Sequence, residues 1–181
     1  MTAAQLHRAE SISTPPRTVL ITGAAGGLGR SFALGFAERG YTVAVADIDA
    51  QGAADTAALI GDAGGSAWST ALDVTSVEST ERAAAAAAEF FGRDAQGGGI
   101  DVLVNNAALY GGITRAPIEE LDPAEWDRVM AVNAKGPWLM TRAASPYLGE
   151  GSRVINIASA TVFSGSEQWA HYVASKGAVI G

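Results

Sequence analysis

The sequence predicts an α/β fold: a doubly wound, three-layer arrangement in which helices cover both faces of a parallel sheet. Three observations carry that prediction. Short β-rich runs alternate with helical stretches from residue 18 onward, a pattern that implies parallel strands linked by crossover helices. A glycine-rich turn, Thr22-Gly-Ala-Ala-Gly-Gly-Leu-Gly29, joins the first strand to the first helix. The 181 residues are 48% hydrophobic with a mean hydropathy of +0.15, enough for one domain with its own core.

Residues 1–17 are mixed polar with Pro15-Pro16 and lack the apolar run of a signal peptide, so they read as a flexible arm before a domain over 18–181. Thr18–Thr22 (TVLIT) has the composition of a buried strand. After the glycine turn, Leu28, Phe32 and Phe36 recur at i, i+4 and i+8 and mark a helix that Gly40 closes. Thr42–Asp47 (TVAVAD) is the second strand, with a helix over about 53–60 behind it. A third strand is expected around Ala67–Val74 and a helix over roughly Val77–Phe91, whose alanine run is too short to span a bilayer. Ile100–Asn105 (IDVLVN) supplies the fourth strand. Asp122-Pro123-Ala124-Glu125 reads as a capping box with proline in the first turn, opening a long helix through Trp126, Met130 and Met140. Arg153–Ile157 (RVINI) is the fifth strand and leads by a loop to a helix bearing Tyr172.

Charge and composition narrow the function. A net charge of −7 and a pI of 4.7 argue against nucleic acid, whose binders need clustered Lys and Arg. With no cysteine there is no disulfide frame and no thiolate nucleophile or ligand. The only histidines are His7 and His171, so no metal site is predicted. The chain fits the cytoplasm, and no membrane partner is expected.

Glycines 23, 27 and 29 permit tight turning and close backbone approach, so a pyrophosphate could rest on the helix N-terminus. With Ala25, Gly26 and Leu28 they form a candidate dinucleotide-binding turn; the alternative is a plain glycine-rich turn. Asp47, eighteen residues past Gly29, can accept both adenosine ribose hydroxyls and would repel a 2′-phosphate, which favours NAD over NADP. Its alternative role is a solubilising charge at a strand end, and Arg30 is the nearest cation that could offset it. Asp73 is expected at the end of the third strand, facing the adenine edge or capping a helix.

Tyr172 and Lys176 stand at i and i+4, on one helix face, so the ammonium could sit beneath the phenol. A nearby cation lowers a phenol pKa from its usual ~10. Beside the Ser159 hydroxyl, such a tyrosine suits proton transfer to or from an alcohol or carbonyl oxygen. Pro137 has no N–H, so the carbonyl of Asn133 lacks its helical donor and could hold a water; the alternative is a packing kink at Gly136-Pro137. Val162, Phe163, Trp169 and His171 are expected to wall a substrate pocket, with His171 a wall or surface residue rather than a second base. Trp126, Trp138 and Tyr147 read as core or interface residues.

Together, Gly23-x-x-x-Gly27-x-Gly29, Asp73-Val74, Asn105-Asn106-Ala107-Ala108, Asn133, Ser159 and Tyr172-x-x-x-Lys176 resemble the classical short-chain dehydrogenase/reductase family, from about Arg17 to the last residue. Ala108 departs from the glycine more usual there. The resemblance implies a Rossmann-type sheet of order 3-2-1-4-5 and an NAD-dependent oxidoreductase that interconverts a secondary alcohol and a ketone. It makes Tyr172 the proton carrier. Lys176 would bind the nicotinamide ribose, Ser159 would bond the reacting oxygen, and a water at Asn133 would link Lys176 to solvent. Asp73, Val74, Asn105 and Ala107 would line the cofactor cleft. The stretch 159–176 looks closest to dehydrogenases acting on small aromatic or apolar alcohols. An NADPH-dependent ketoacyl reductase and a nucleotide-binding fragment without turnover are the alternatives. The family's sheet continues past a fifth strand, so the 181 residues are expected to keep the adenosine half-site, lack the later strands and show little turnover. A full-length form would be a homo-oligomer.

Overall fold

A computed structural model describes residues 17–92 and 99–181; the expected arm, up to residue 16, lies outside them. The strands are β1 (Thr18–Thr22), β2 (Thr42–Asp47), β3 (Ser66–Ala71), β4 (Val102–Asn105) and β5 (Arg153–Asn156). They form one sheet in the order β3-β2-β1-β4-β5 with every pairing parallel. The helices are α1 (Gly27–Glu38), α2 (Ala50–Asp62), α3 (Val77–Phe90), α4 (Pro123–Met130), α5 (Gly136–Ala144), the short α6 (Thr161–Ser164) and α7 (Ala170–Ile180).

Alternation along the central strand feeds two cores. Leu20 joins Ala44 and Leu103 under α3 and α5, through Ala84, Ala87 and Met140. Val19 and Ile21 face the other way, into Val43, Val45, Ala33 of α1 and Ala53 and Ile60 of α2. Successive side chains leave a strand on opposite faces, so a strand apolar at every position requires cover on both sides. None of the described helices is long and apolar enough to cross a membrane.

Local signals set most helix ends. Gly40, at φ +78°, ends α1 with Gly40 N–H bonded to the Ala37 carbonyl (2.9 Å) and Tyr41 N–H to that of Phe36 (3.2 Å). The Phe36 and Tyr41 rings meet at 4.9 Å, the apolar contact that accompanies this type of helix stop. The second helix is longer than its apolar pattern, because Asp49 accepts from Gly52 N–H and starts it at Ala50.

Several expectations are corrected. β3 ends at Ala71, so Asp73 lies beyond the strand; Ser76, not Asp73, caps α3, and Asp73 Oδ1 instead accepts from Thr75 N–H (2.8 Å) and its hydroxyl (2.7 Å). Leu28 is 55% exposed and stays out of the α1 stripe, whose buried members are Gly29 and Ala33. Asp122 does cap α4 through Ala124 N–H, but Glu125 leaves the capping box open, since its carboxylate is taken by Thr114. The long helix is not uniformly α: Ala131–Lys135 forms a π turn between α4 and α5, and Gly136 N–H reaches back to the Ala131 carbonyl. A proline at 137 withholds the donor an α-helical Asn133 carbonyl would use, which favours this wider turn.

Candidate active site

The site opens above the C-terminal ends of β1 and β4, where an open parallel sheet leaves a crevice. Gly23 (φ +67°) and Gly27 (φ +52°) turn the chain through backbone regions that side chains disfavour. At Gly29 a Cβ would collide with the Gly23 carbonyl oxygen and stand 2.6 Å from Asn106 Nδ2, so only hydrogen fits. Asn106 in turn donates to the Thr22 (3.0 Å) and Gly23 (2.9 Å) carbonyls and ties the β4 end to the turn. Gly26, by contrast, faces open space. Within the Asn105-Asn106-Ala107-Ala108 motif, the Asn106 side chain is the one that shapes the turn.

The cleft has a volume of about 740 Å³. Gly23, Gly26, Gly27, Leu28 and Gly29 line its glycine side, and Asp47, Asp73 and Val74 line it from the ends of β2 and β3. Ala107, Tyr110, Tyr172 and Lys176 also reach it. Asp47 does double duty, since Oδ2 accepts from Ala25 N–H (2.9 Å) and Oδ1 from Asp49 N–H (3.0 Å). Arg30 is not a free neighbour of Asp47: its Nε donates to Thr56 Oγ1 (2.9 Å) and its Nη2 to the Ala25 carbonyl.

Two expected cleft residues lie elsewhere. Ala25 does not line the cleft, though its N–H donates to Asp47, which does. Asn105 is 3% exposed and turns into the interior, where Nδ2 donates to Asn156 Oδ1 (2.8 Å) and Thr141 Oγ1 (3.0 Å), bracing β4, β5 and α5. Residue 105 is the last of β4 and turns inward, while residues 106 and 107, past the strand end, line the cleft.

Tyr172 is 6% exposed, and burial pushes its pKa above the ordinary 10.0. A side-chain hydrogen bond from Ser159 works against that rise, and the neighbouring Tyr110 phenol adds to it. Ser159 Oγ accepts from Thr161 N–H (3.3 Å) and Thr161 Oγ1 (2.9 Å), so its own proton remains available to donate. Lys176 Nζ lies 6.0 Å from the Tyr172 ring centroid and donates to the Ile157 carbonyl at 2.8 Å. Burial lowers the lysine pKa. The expected lowering of the phenol by this cation is therefore corrected: desolvation dominates, and the ammonium is turned to a carbonyl.

Asn133 is fully buried, and its side chain makes three hydrogen bonds. Oδ1 accepts from Leu109 N–H (2.7 Å), while Nδ2 donates to the Leu109 carbonyl (3.1 Å) and Ser175 Oγ (3.1 Å). The Asn133–Pro137 spacing points to the carbonyl alone and carries no signal for these side-chain bonds. The expected pocket wall is also revised. Phe163 is 84% exposed, Trp169 is buried against Tyr172 at 4.5 Å, and neither they nor Val162 line the cleft. His171 is neither wall nor surface but fully buried, facing Glu125. Tyr110 was missed; it carries no motif, and only the fold brings its ring to 5.7 Å from that of Tyr172.

Comparison with known proteins agrees with this geometry. The chain is 40% identical over 167 residues to sorbitol dehydrogenase of Cereibacter sphaeroides, covering 91% of this chain and 60% of that protein. It is equally similar, 40% over 167 residues with 91% and 60% covered, to galactitol 2-dehydrogenase of Agrobacterium fabrum. The chain thus spans about 60% of the length of these curated relatives. The crystal structure of 3-ketoacyl-(acyl-carrier-protein) reductase from Brucella melitensis, complexed with NADH, matches with a TM-score of 0.80 at 35% identity, over 91% of this chain and 66% of that one. The family described as short chain dehydrogenase matches residues 17–181. A glycine-floored crevice on a β3-β2-β1-β4-β5 sheet and that near full-length match lead to one assignment: the chain belongs to the short-chain dehydrogenase family.

Proposed function

We propose that this chain carries the cofactor cleft and proton-handling residues of an NAD-dependent oxidoreductase that interconverts a secondary alcohol of a small polyol and the corresponding ketone. The observation that carries the reading is a glycine-floored cleft that Tyr172 and Lys176 line together, with the ammonium 6.0 Å from the phenol ring. The residues present fit a dinucleotide: Gly26 leaves its backbone open to close approach, and the start of α1 offers N–H groups to a pyrophosphate. The nicotinamide, when bound, accepts or donates the hydride.

The protein's own part is proton handling and orientation. In the reducing direction the Tyr172 phenol, kept protonated by burial, donates its proton to the carbonyl oxygen. In the oxidising direction the phenol first releases its proton to solvent, and the phenolate then takes the alcohol proton. The Ser159 hydrogen holds the reacting oxygen near the phenol. Lys176, a buried cation beside the tyrosine, offers its remaining donors to ribose hydroxyls.

Asp47 supports NAD over NADP, because a 2′-phosphate would meet its carboxylate. Lys176 is the sole cation among the described residues lining the cleft, and it lies beside Tyr172. The same argument weighs against an NADPH-dependent ketoacyl reductase. A polyol fits better than an apolar alcohol, since the two relatives above are dehydrogenases of sugar alcohols by name and the Tyr110 phenol adds a polar group at the cleft.

Binding and catalysis are tested separately. Fluorescence titration with NADH, then a panel of polyols and simple secondary alcohols with NAD+, is run on this chain and on a C-terminally extended form. Saturable NADH binding by both forms and polyol oxidation by the extended one are expected. An extended form that binds NADH yet oxidises no alcohol sinks the reading.

A further inference from the structure

Glu125 and His171 make a buried contact that the reaction does not require. Glu125 stands in the first turn of α4, 9% exposed, and its carboxylate accepts from Thr114 N–H (2.6 Å) and Thr114 Oγ1 (3.1 Å). His171 Nε2 is 3.2 Å from the same Oε1, and the imidazole is wholly buried with Trp126 stacked on it at 6.5 Å. His171 Nδ1 has no hydrogen-bond partner. A buried N–H without an acceptor is costly, so the neutral tautomer with its hydrogen on Nε2 is preferred, donating to Glu125. One carboxylate therefore holds two segments distant in sequence.

Eight residues further along the same long helix, Asn133 repeats the arrangement with Leu109 on one side and Ser175 on the other. The two rungs join the same three pieces: the long helix, the loop after β4, and α7. Between the rungs on α7 sits Tyr172; between them on the loop sits Tyr110. The two tyrosine rings meet at 5.7 Å. Burying a carboxylate costs desolvation that an apolar contact would avoid, while its directed bonds hold one geometry.

We propose that Glu125 and His171 are positioning residues, a second rung that fixes the Tyr110 loop against the Tyr172 helix and so sets the substrate side of the cleft. The inference rests on the proposed alcohol chemistry for its kinetic consequence, but not for its structural one. Its experiment has two parts. Hydrogen exchange on the chain with Glu125→Ala should show Thr114 and residues 173–176 losing protection together, with β1, β2 and β4 unchanged. In the form that oxidises alcohol, the same substitution should lower kcat/KM for the alcohol at least tenfold on this account, while NADH affinity stays within about twofold. Glu125→Gln, with its amide oxygen at the Oε1 position, keeps the acceptor shared by Thr114 N–H and His171 Nε2–H and alters only the Oε2 contact with the Thr114 hydroxyl, so it should recover part of the loss; it also serves if the alanine variant does not fold. Loosening confined to the Thr114 loop would overturn the bridge. Equal losses in NADH affinity and turnover, or unchanged kinetics in a folded variant, would overturn the positioning role. A wild-type protein that oxidises no alcohol would fail the proposed reaction, and hydrogen exchange would still decide the clamp.

Discussion

Tyr172 owes its acid–base character to where it is buried more than to its charged neighbour. Desolvation raises the phenol pKa above 10.0, and Ser159 pulls the other way through its hydrogen bond. The fold thus prefers the protonated phenol. That contribution to stability is fully present below the unfolded value near 10 and is lost as pH rises through the folded one. Difference ultraviolet titration of the cofactor-free chain against Tyr172→Phe should place the Tyr172 ionisation above that of an ordinary tyrosine; a transition near neutral pH would contradict this. In the C-terminally extended form, Tyr172→Phe should remove all but a few per cent of turnover, roughly three orders of magnitude at most, with NADH affinity nearly intact, because the substitution removes only the phenol hydroxyl. Lys176→Ala should damage both, since its ammonium lies beside the phenol and lines the cleft. Rate assays paired with NADH titration separate the two outcomes.

The glycine turn makes sharp demands at the level of one element. Gly29→Ala would press a Cβ on the Gly23 carbonyl and on Asn106, a backbone collision costing on the order of 2–3 kcal/mol. Gly26→Ala meets nothing within 4 Å and has an extended φ of −163°, so the fold should tolerate it. Its methyl would nonetheless stand where a pyrophosphate approaches. Urea denaturation should show the first variant destabilised and the second unchanged, while NADH titration should show both weakened. Equal NADH affinity in Gly26→Ala would count against the pyrophosphate reading. This element was legible because its determinants are local: a strand, positive-φ glycines and a helix start within a dozen residues. The same holds for the Gly40 helix stop, and strand alternation made the two-sided core readable. What stayed hidden depends on distant partners. Glu125 fits a capping box by spacing, yet Thr114 and His171 claim it across the fold. Pro137 signalled an irregular helix, but the sequence does not distinguish a π turn from a kink. Asn105 and Asn106 are identical in type, and strand register alone decides which one faces the cleft.

Across the described residues, the sheet has a bare margin at β5. Among the described residues β5 pairs only with β4, all four of its residues are exposed, and Val154 and Ile155 stand 39% and 40% accessible. An apolar edge of this kind invites pairing with other chains. Light scattering of the 181-residue chain should show concentration-dependent association that Ile155→Lys reduces; a monodisperse monomer at high concentration would refute it. The net charge of −7 opposes aggregation only in part, because salt screens it over about 8 Å. The central claim is that the cleft above β1 and β4 takes NAD, with Asp47 selecting against a 2′-phosphate. A ligand that binds only the folded chain raises its unfolding temperature, by about 2.7 kcal/mol of stability at a hundredfold excess over Kd. The most direct test is thermal unfolding of the chain with equal concentrations of NADH and NADPH, repeated with Asp47→Arg. The account predicts a saturable rise with NADH, a smaller one with NADPH, and a reversed preference in the variant; no rise with NADH, or an equal rise with NADPH, would contradict it.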